Sequence, residues 1–305
     1  GLKIMVGGET LFGERIQHLR HRIETGELEH GNGNRRETDV VEAYLNRITS
    51  TIERARPLKI VTDCGNGVAG VLVPRLFRAL GCEVIDLYST VDGTFPNHHP
   101  DPIRPENLTD LIATVQEEGA EFGLAFDGDG DRLGVVSPDG RIVWPDRQLI
   151  LFAKDVLTRH PNAEIIFDVK CTQLLRQAIV ESGGIPTMWK TGHSLIKAKL
   201  RESGAPLAGE MSGHIFFNDR WYGFDDALYV GARLCELLAK EESSPETIFR
   251  ELPDTFNTPE LRLEMNEGAH HDLIHELVAN ADFPDGAVSR IDGIRVDFED
   301  GFGLA

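Results

Sequence analysis

The sequence predicts an α/β protein of several domains, among them two related α/β domains with mixed sheets. Three observations lead there. Strand-like apolar runs alternate with helix-period runs along most of the 305 residues, the pattern of layered α/β units. A second stretch repeats the plan of the first: Asp63 and Asp168 each close a first strand, and Gly81 and Gly184 each precede a second. Residues 255–265 and 289–298 then flank a helix, an α+β pattern unlike the preceding units.

The elements follow in order. GLKIMVGGETL reads as a strand leading into a helix rather than a targeting peptide. LKIVTD (58–63) and GCEVIDLY (81–88) read as strands, with GNGVAG and the helix-like VLVPRLFRAL between them. Leu108, Leu111, Ile112 and Val115 fall at i, i+3, i+4 and i+7 of an amphipathic helix over 106–119, with Pro105 near its start. RLGVVSPDGRIVW predicts a hairpin around Ser137-Pro138-Asp139-Gly140. EIIFDVKCT, TQLLRQAIVESGG and IPTMWKTGH supply strand, helix and strand again. The final DGIRVDFEDGFGLA stops where a strand should begin, so both ends read as cut. Boundaries are expected at 31–37, near Arg141 and at Pro253-Asp254.

Composition narrows the function classes. Fifty acidic against 31 basic residues leave a net charge of −19, which argues against a broad nucleic-acid or anionic-membrane surface. An anionic ligand would need positive potential built locally. No apolar run approaches the ~18 residues of a membrane span. Cys64, Cys82, Cys171 and Cys235 are scattered without a C-x-x-C pair, which predicts reduced thiols in the cytoplasm.

The most informative stretch is GLAFDGDGDR (123–132), where Asp127, Asp129 and Asp131 alternate with glycines behind an apolar strand. Like charges so close disfavour one another unless a cation neutralises them. Hard carboxylate oxygens on a tight turn suit Mg²⁺. An EF-hand fails, because the sixth position is Arg132 rather than glycine and the twelfth is Pro138 rather than glutamate. GNGVAG (65–70) matches the dinucleotide fingerprint, with Asp86 about twenty residues on. Pro74, inside the expected helix, and the proline-rich loop GTFPNHHPDPIRPEN count against it. A tight structural turn is the better reading. LAGEMSGHIFFN places Glu210, Ser212 and His214 at alternate positions, able to exchange hydrogen bonds with a polyol or to serve only as a turn. Lys170, Lys190 and His193 stand at strand ends before helices, where phosphate is favoured.

Together these motifs resemble the α-D-phosphohexomutase family, most closely its phosphomannomutase/phosphoglucomutase branch. GLKIMVGGETL, DCGNG, TFPNHHPDP, FDGDGDR, DVKCT, WKTGHSLIK, GEMSGH and DGIRV occur in family order along the whole chain. The resemblance implies an isomerase that interconverts hexose 1-phosphates and 6-phosphates of mannose and glucose. It would use a phosphoserine, a 1,6-bisphosphate intermediate and Mg²⁺. By the same resemblance, Asp127, Asp129 and Asp131 hold the metal and Arg132 sits beside the phosphoserine phosphate. Glu210 and Ser212 grip adjacent sugar hydroxyls with His214 close by. Lys170, Lys190 and His193 contact substrate near the reacting phosphate, and Lys3 takes part in acid–base work.

The resemblance also sets domain expectations: 1–38 the tail of a phosphoserine domain, 39–141 a metal-loop domain, 142–253 a sugar-loop domain, and 254–305 the start of an α+β phosphate-binding domain. Two family motifs, the S-H-N-P serine loop and the R-x-S-N-T phosphate loop, do not occur in 1–305. The segment alone is therefore expected to lack turnover. The alternatives are a glucosamine-phosphate mutase, a silent Mg²⁺ and sugar-phosphate binding module, and a nicotinamide-dependent oxidoreductase built on GNGVAG. A monomer is expected, with a dimer as its alternative.

Overall fold

The computed structural model describes residues 4–7, 9–258, 261, 263–266 and 269–305. It opens with a hairpin of β1 (Met5–Val6) and β2 (Glu9–Thr10), then α1 (Glu14–Thr25), which buries no residue. The start is thus a hairpin before the helix rather than a single strand. Next, α2 (Val41–Thr49) turns Leu45 and Ile48 into the core.

The first sheet combines β3 (Lys59–Asp63), β4 (Glu83–Leu87), β5 (Phe122–Phe126), β6 (Leu133–Val136) and β7 (Ile142–Val143) in the order β4-β3-β5-β6-β7. The first three strands in chain order are parallel, and β6 and β7 return antiparallel. Residues 60–63 of β3 and all of FGLAF are buried because helices cover both faces of these strands. Those helices are α3 (Val73–Ala79) and α4 (Thr109–Glu117).

Pro74 does not kink a helix. A 3₁₀ turn over Val68–Val71 ends first, and α3 begins at Val73, so Pro74 stands in its first turn, where no backbone N–H is needed. β7 pairs Ile142 and Val143 with β6 of the first sheet, just after the expected break near Arg141.

α5 (Pro145–Arg159) leads to a second sheet of β8 (Glu164–Asp168), β9 (Ile185–Trp189), β10 (Leu207–Gly209) and β11 (Ile215–Phe217). Its order is β11-β10-β8-β9, with β8, β9 and β10 parallel and β11 antiparallel. That is the order and sense of β6-β5-β3-β4. Between its strands lie α6 (Gln173–Glu181) and α7 (His193–Ser203).

α8 (Ala227–Lys240) packs against both β6 and β11. One apolar core therefore runs through both sheets, joining Phe77 and Phe122 to Phe152, Leu207, Phe217 and Leu234. Within it Arg233 is buried and paired with Asp155, Asp219 and Glu236.

α9 (Pro245–Arg250) precedes α10 (Ala269–Asn280) and a meander of β12 (Ala287–Ser289), β13 (Arg295–Asp297) and β14 (Phe302–Leu304). Arg295, itself buried, donates to the carbonyls of Val169 at 2.5 Å and Cys171 at 2.7 Å, fastening the meander to the second sheet. The strand expected over 255–265 is not formed among the described residues. Leu261 and Leu263 are exposed. No helix of the described residues is long and apolar enough to cross a membrane.

Candidate active site

Each sheet carries a tight connection at the carboxyl end of its third parallel strand. After β5 it is the aspartate loop 127–132, and after β10 it is Glu210–His214. The two meet. Arg132 and His214 form an antiparallel bridge, and the Leu133 N–H donates to the Gly213 carbonyl at 3.2 Å.

In the aspartate loop, Asp127 is buried. Its Oδ1 accepts from the backbone N–H groups of Asp131 at 2.9 Å and Arg132 at 3.0 Å. Arg132 Nε donates to Asp127 Oδ2 at 2.8 Å, and its Nη1 donates to Asp101 Oδ1 at 2.9 Å. Burial raises the Asp127 carboxyl above the usual range; the Arg132 contacts oppose this and the Asp129 charge adds to it.

One oxygen from each of Asp127, Asp129 and Asp131 lies within 4.8 Å of the others. Octahedral Mg²⁺ with bonds near 2.1 Å spaces adjacent oxygens about 3 Å apart. A small contraction of this turn, in which only Asp129 of the three carboxylates is exposed, meets that spacing, and the donor set is all oxygen. The residues fit the ion.

The GNGVAG turn backs this loop. A Cβ on Gly67 would stand 3.0 Å from the Cα and carbonyl oxygen of Gly128, and Val68 N–H donates to that oxygen at 3.1 Å. The fingerprint glycine approaches the aspartate loop, where a pyrophosphate would otherwise need room.

On the other side, Glu210 is 2% exposed. The Gly192 N–H donates to its Oε1 at 2.5 Å, while its Oε2 lies 3.3 Å from His214 Nδ1. Ser212 Oγ is 2.9 Å from the same nitrogen. His214 Nε2 lies 3.3 Å from Asp131 Oδ1. The His193 ring, at the start of α7, stacks on His214 with centroids 5.5 Å apart.

Contacts thus join Asp127, Asp129, Asp131, Arg132, Glu210, Ser212, His214 and His193 into one cluster. Lys170, half-buried, and Lys190, exposed, follow β8 and β9 at the same edge of the second sheet. Lys3 lies outside the described residues.

Other residues organise the site and were not named as site residues from the sequence, although Asp63 and Asp168 were noted as strand ends. Asp168 is fully buried: its Oδ1 accepts from Met211 N–H at 3.2 Å and its Oδ2 from Thr191 Oγ1 at 3.1 Å. Burial first, then the Glu210 charge, pushes its carboxyl up to about 6. Asp63, its counterpart in the first sheet, faces His98 Nε2 at 3.0 Å and raises that imidazole above its ordinary value. Asp225 faces His214 across 3.8 Å and takes a 2.9 Å bond from Lys197. Asp101 stands in the PNHHPDP loop, and Lys197 follows His193 by one helical turn; those were the available signals. Asp225 offered none.

Residues 41–140 match the family model described as phosphoglucomutase/phosphomannomutase, alpha/beta/alpha domain II, and 144–256 match domain III of the same family. The chain is 54% identical to a phosphomannomutase/phosphoglucomutase of Pseudomonas aeruginosa, over all of this chain and 66% of that protein. It is 53% identical to a phosphoglucomutase of Neisseria meningitidis, covering 100% of this chain and 67% of the relative. Among solved structures, a phosphoglucomutase/phosphomannomutase family protein from Burkholderia thailandensis superposes with a TM-score of 0.95 at 56% identity, covering 99% of this chain and 65% of that one. The chain therefore spans about two thirds of the length of these relatives.

Proposed function

This chain belongs to the phosphoglucomutase/phosphomannomutase family, and on that premise we propose that it supplies the metal- and sugar-binding part of a mutase for hexose 1- and 6-phosphates. Mannose and glucose phosphates are the proposed substrates, since relatives carry both names. Mg²⁺ is the proposed ion. The four free thiols suit a reducing cytoplasm as its compartment.

In this reading Asp127, Asp129 and Asp131 hold Mg²⁺, which when bound withdraws charge from the phosphoryl donor and makes its phosphorus more electrophilic. The donor is a phosphoserine of S-H-N-P type, a motif residues 1–305 do not contain. Arg132, clamped by Asp127 and Asp101, presents a fixed positive charge beside the transferring phosphate. Glu210 and Ser212 accept from adjacent sugar hydroxyls and hold the ring by its middle, so that either phosphate can face the metal. His214, between Ser212 and Asp131, is placed to exchange a proton with the reacting hydroxyl. Lys170, Lys190 and His193 neutralise the substrate phosphate, and Lys3 shares the acid–base work. In-line transfer then rests on positioning and electrostatics.

The observation that carries the reading is the 3.3 Å approach of His214 to Asp131, which sets a polyol-binding loop against an all-oxygen cation loop. Calorimetric titration of the chain with glucose 1,6-bisphosphate tests it. Binding that needs Mg²⁺ and weakens roughly 10- to 100-fold in Glu210→Gln is expected. Binding indifferent to both the ion and the substitution would refute it.

A further inference from the structure

The geometry points to a second cation site beside the aspartate loop, formed by Asp131, His214 and Asp225 and suited to a borderline transition ion such as Zn²⁺. Each residue offers one ligand atom, and the three lie within 4.8 Å of one another. His214 Nε2 is 3.3 Å from Asp131 Oδ1 and 3.8 Å from Asp225 Oδ2. Around a tetrahedral zinc ion with bonds near 2.0 Å, ligand atoms stand about 3.3 Å apart. One of these spacings already matches, and the other is half an ångström too long. A water would complete the four.

Neighbouring residues orient two of the three donors, Asp225 and His214. Lys197 Nζ holds Asp225 Oδ1 at 2.9 Å, which leaves Oδ2 toward the imidazole. Ser212 Oγ and Glu210 Oε2 lie 2.9 and 3.3 Å from His214 Nδ1. Those acceptors favour the tautomer with its proton on Nδ1 and its lone pair on Nε2, the carboxylate–histidine arrangement behind many zinc ligands. An imidazole nitrogen among the donors selects Zn²⁺ over Mg²⁺, which prefers oxygen alone. The aspartate loop and this trio thus differ in chemistry while sharing Asp131.

Sharing has a consequence. An ion at the trio draws on an Asp131 oxygen and sets a second double charge beside the aspartate loop. It weakens Mg²⁺ binding there by at least about tenfold. Transition metal and Mg²⁺ are antagonists at this site, whichever substrate it serves.

Co²⁺, a spectroscopic stand-in for Zn²⁺, provides the test. The chain is titrated with Co²⁺ in excess Mg²⁺ and its visible absorption followed. One equivalent should give the intense bands of a four-coordinate ion, displaced by Zn²⁺, with an apparent affinity that falls by about tenfold and then levels off as Mg²⁺ is raised. Asp225→Asn and, separately, His214→Gln should weaken that signal by roughly 100-fold or more, while Asp225→Asn leaves Mg²⁺ binding within about twofold. Weak six-coordinate bands, an affinity indifferent to Mg²⁺, or an undiminished signal in both variants would overturn the site. The wild-type spectrum decides even if a variant misfolds. No sugar phosphate enters the experiment, so its failure leaves the mutase reading standing, and loss of glucose 1,6-bisphosphate binding leaves the cation site standing.

Discussion

Arg132 and His214 face each other across an antiparallel bridge, 82 residues apart in sequence. That pairing joins the strand leaving the aspartate loop to the loop carrying Glu210 and Ser212. Both loops occupy the same topological position in their sheets, so a repeated plan has brought the aspartate loop and the Glu210–His214 loop edge to edge. α5 and α8, packed against both sheets, hold the two loops in register.

Gly213 makes the bridge geometrically permissible. Its φ is +101°, a region other residues rarely adopt, and a Cβ there would stand 3.3 Å from Arg132 Cβ. Gly213→Ala should cost about 1–3 kcal/mol in chemical denaturation and weaken glucose 1,6-bisphosphate binding. A variant with unchanged affinity would show that the bridge does not position the sugar loop.

Gly67 should matter for the cation rather than for a nucleotide. Gly67→Ala crowds the Gly128 backbone and displaces the aspartate turn, so Mg²⁺ affinity by calorimetry should fall roughly tenfold. Nicotinamide fluorescence should report no cofactor binding in wild type or variant.

Arg132 neutralises Asp127, and a bound cation would share that task. Arg132→Gln leaves a buried carboxylate without its partner and should destabilise the metal-free chain by about 3 kcal/mol. In saturating Mg²⁺ the loss should shrink. Equal losses with and without the ion in urea melts would place the metal elsewhere.

Asp168 imposes a pH dependence of defined sign. Its folded carboxyl titrates at about 6, above the unfolded range, so the native state binds the extra proton between those values. Stability from this group is fully present below about pH 4 and is lost as pH rises through about 6. Asp168→Asn removes the titration while its amide oxygen still accepts from Met211. Relative to the variant, wild type should lose about 3 kcal/mol of unfolding free energy between about pH 4 and about pH 7.5. A pH-independent difference would contradict the burial argument.

Local patterning made the fold class legible. The strands at 59–63 and 83–87 and the hairpin of β6 and β7 lie where alternating apolar runs and turn residues put them. Two elements differ from that patterning. Pro74 argues against a continuous helix, but the chain restarts the helix one residue earlier. TFNTPELRLEM forms no strand among its described residues, where Leu261 and Leu263 stand exposed. The site divides in the same way. Residues within one motif, such as the three aspartates, could be grouped by spacing. The Asp101 contact to Arg132 and the Asp225 contact to His214 depend on how distant loops pack, and no local pattern encodes them.

The most direct measurement is a crystal of this chain soaked with glucose 1,6-bisphosphate and Mn²⁺, whose anomalous scattering marks the cation. The account predicts an anomalous peak within bonding distance of Asp127, Asp129 and Asp131, one phosphate turned toward it, and two ring hydroxyls on Glu210 and Ser212. An ordered bisphosphate bound away from Glu210, or a peak that avoids the aspartate loop, would contradict it.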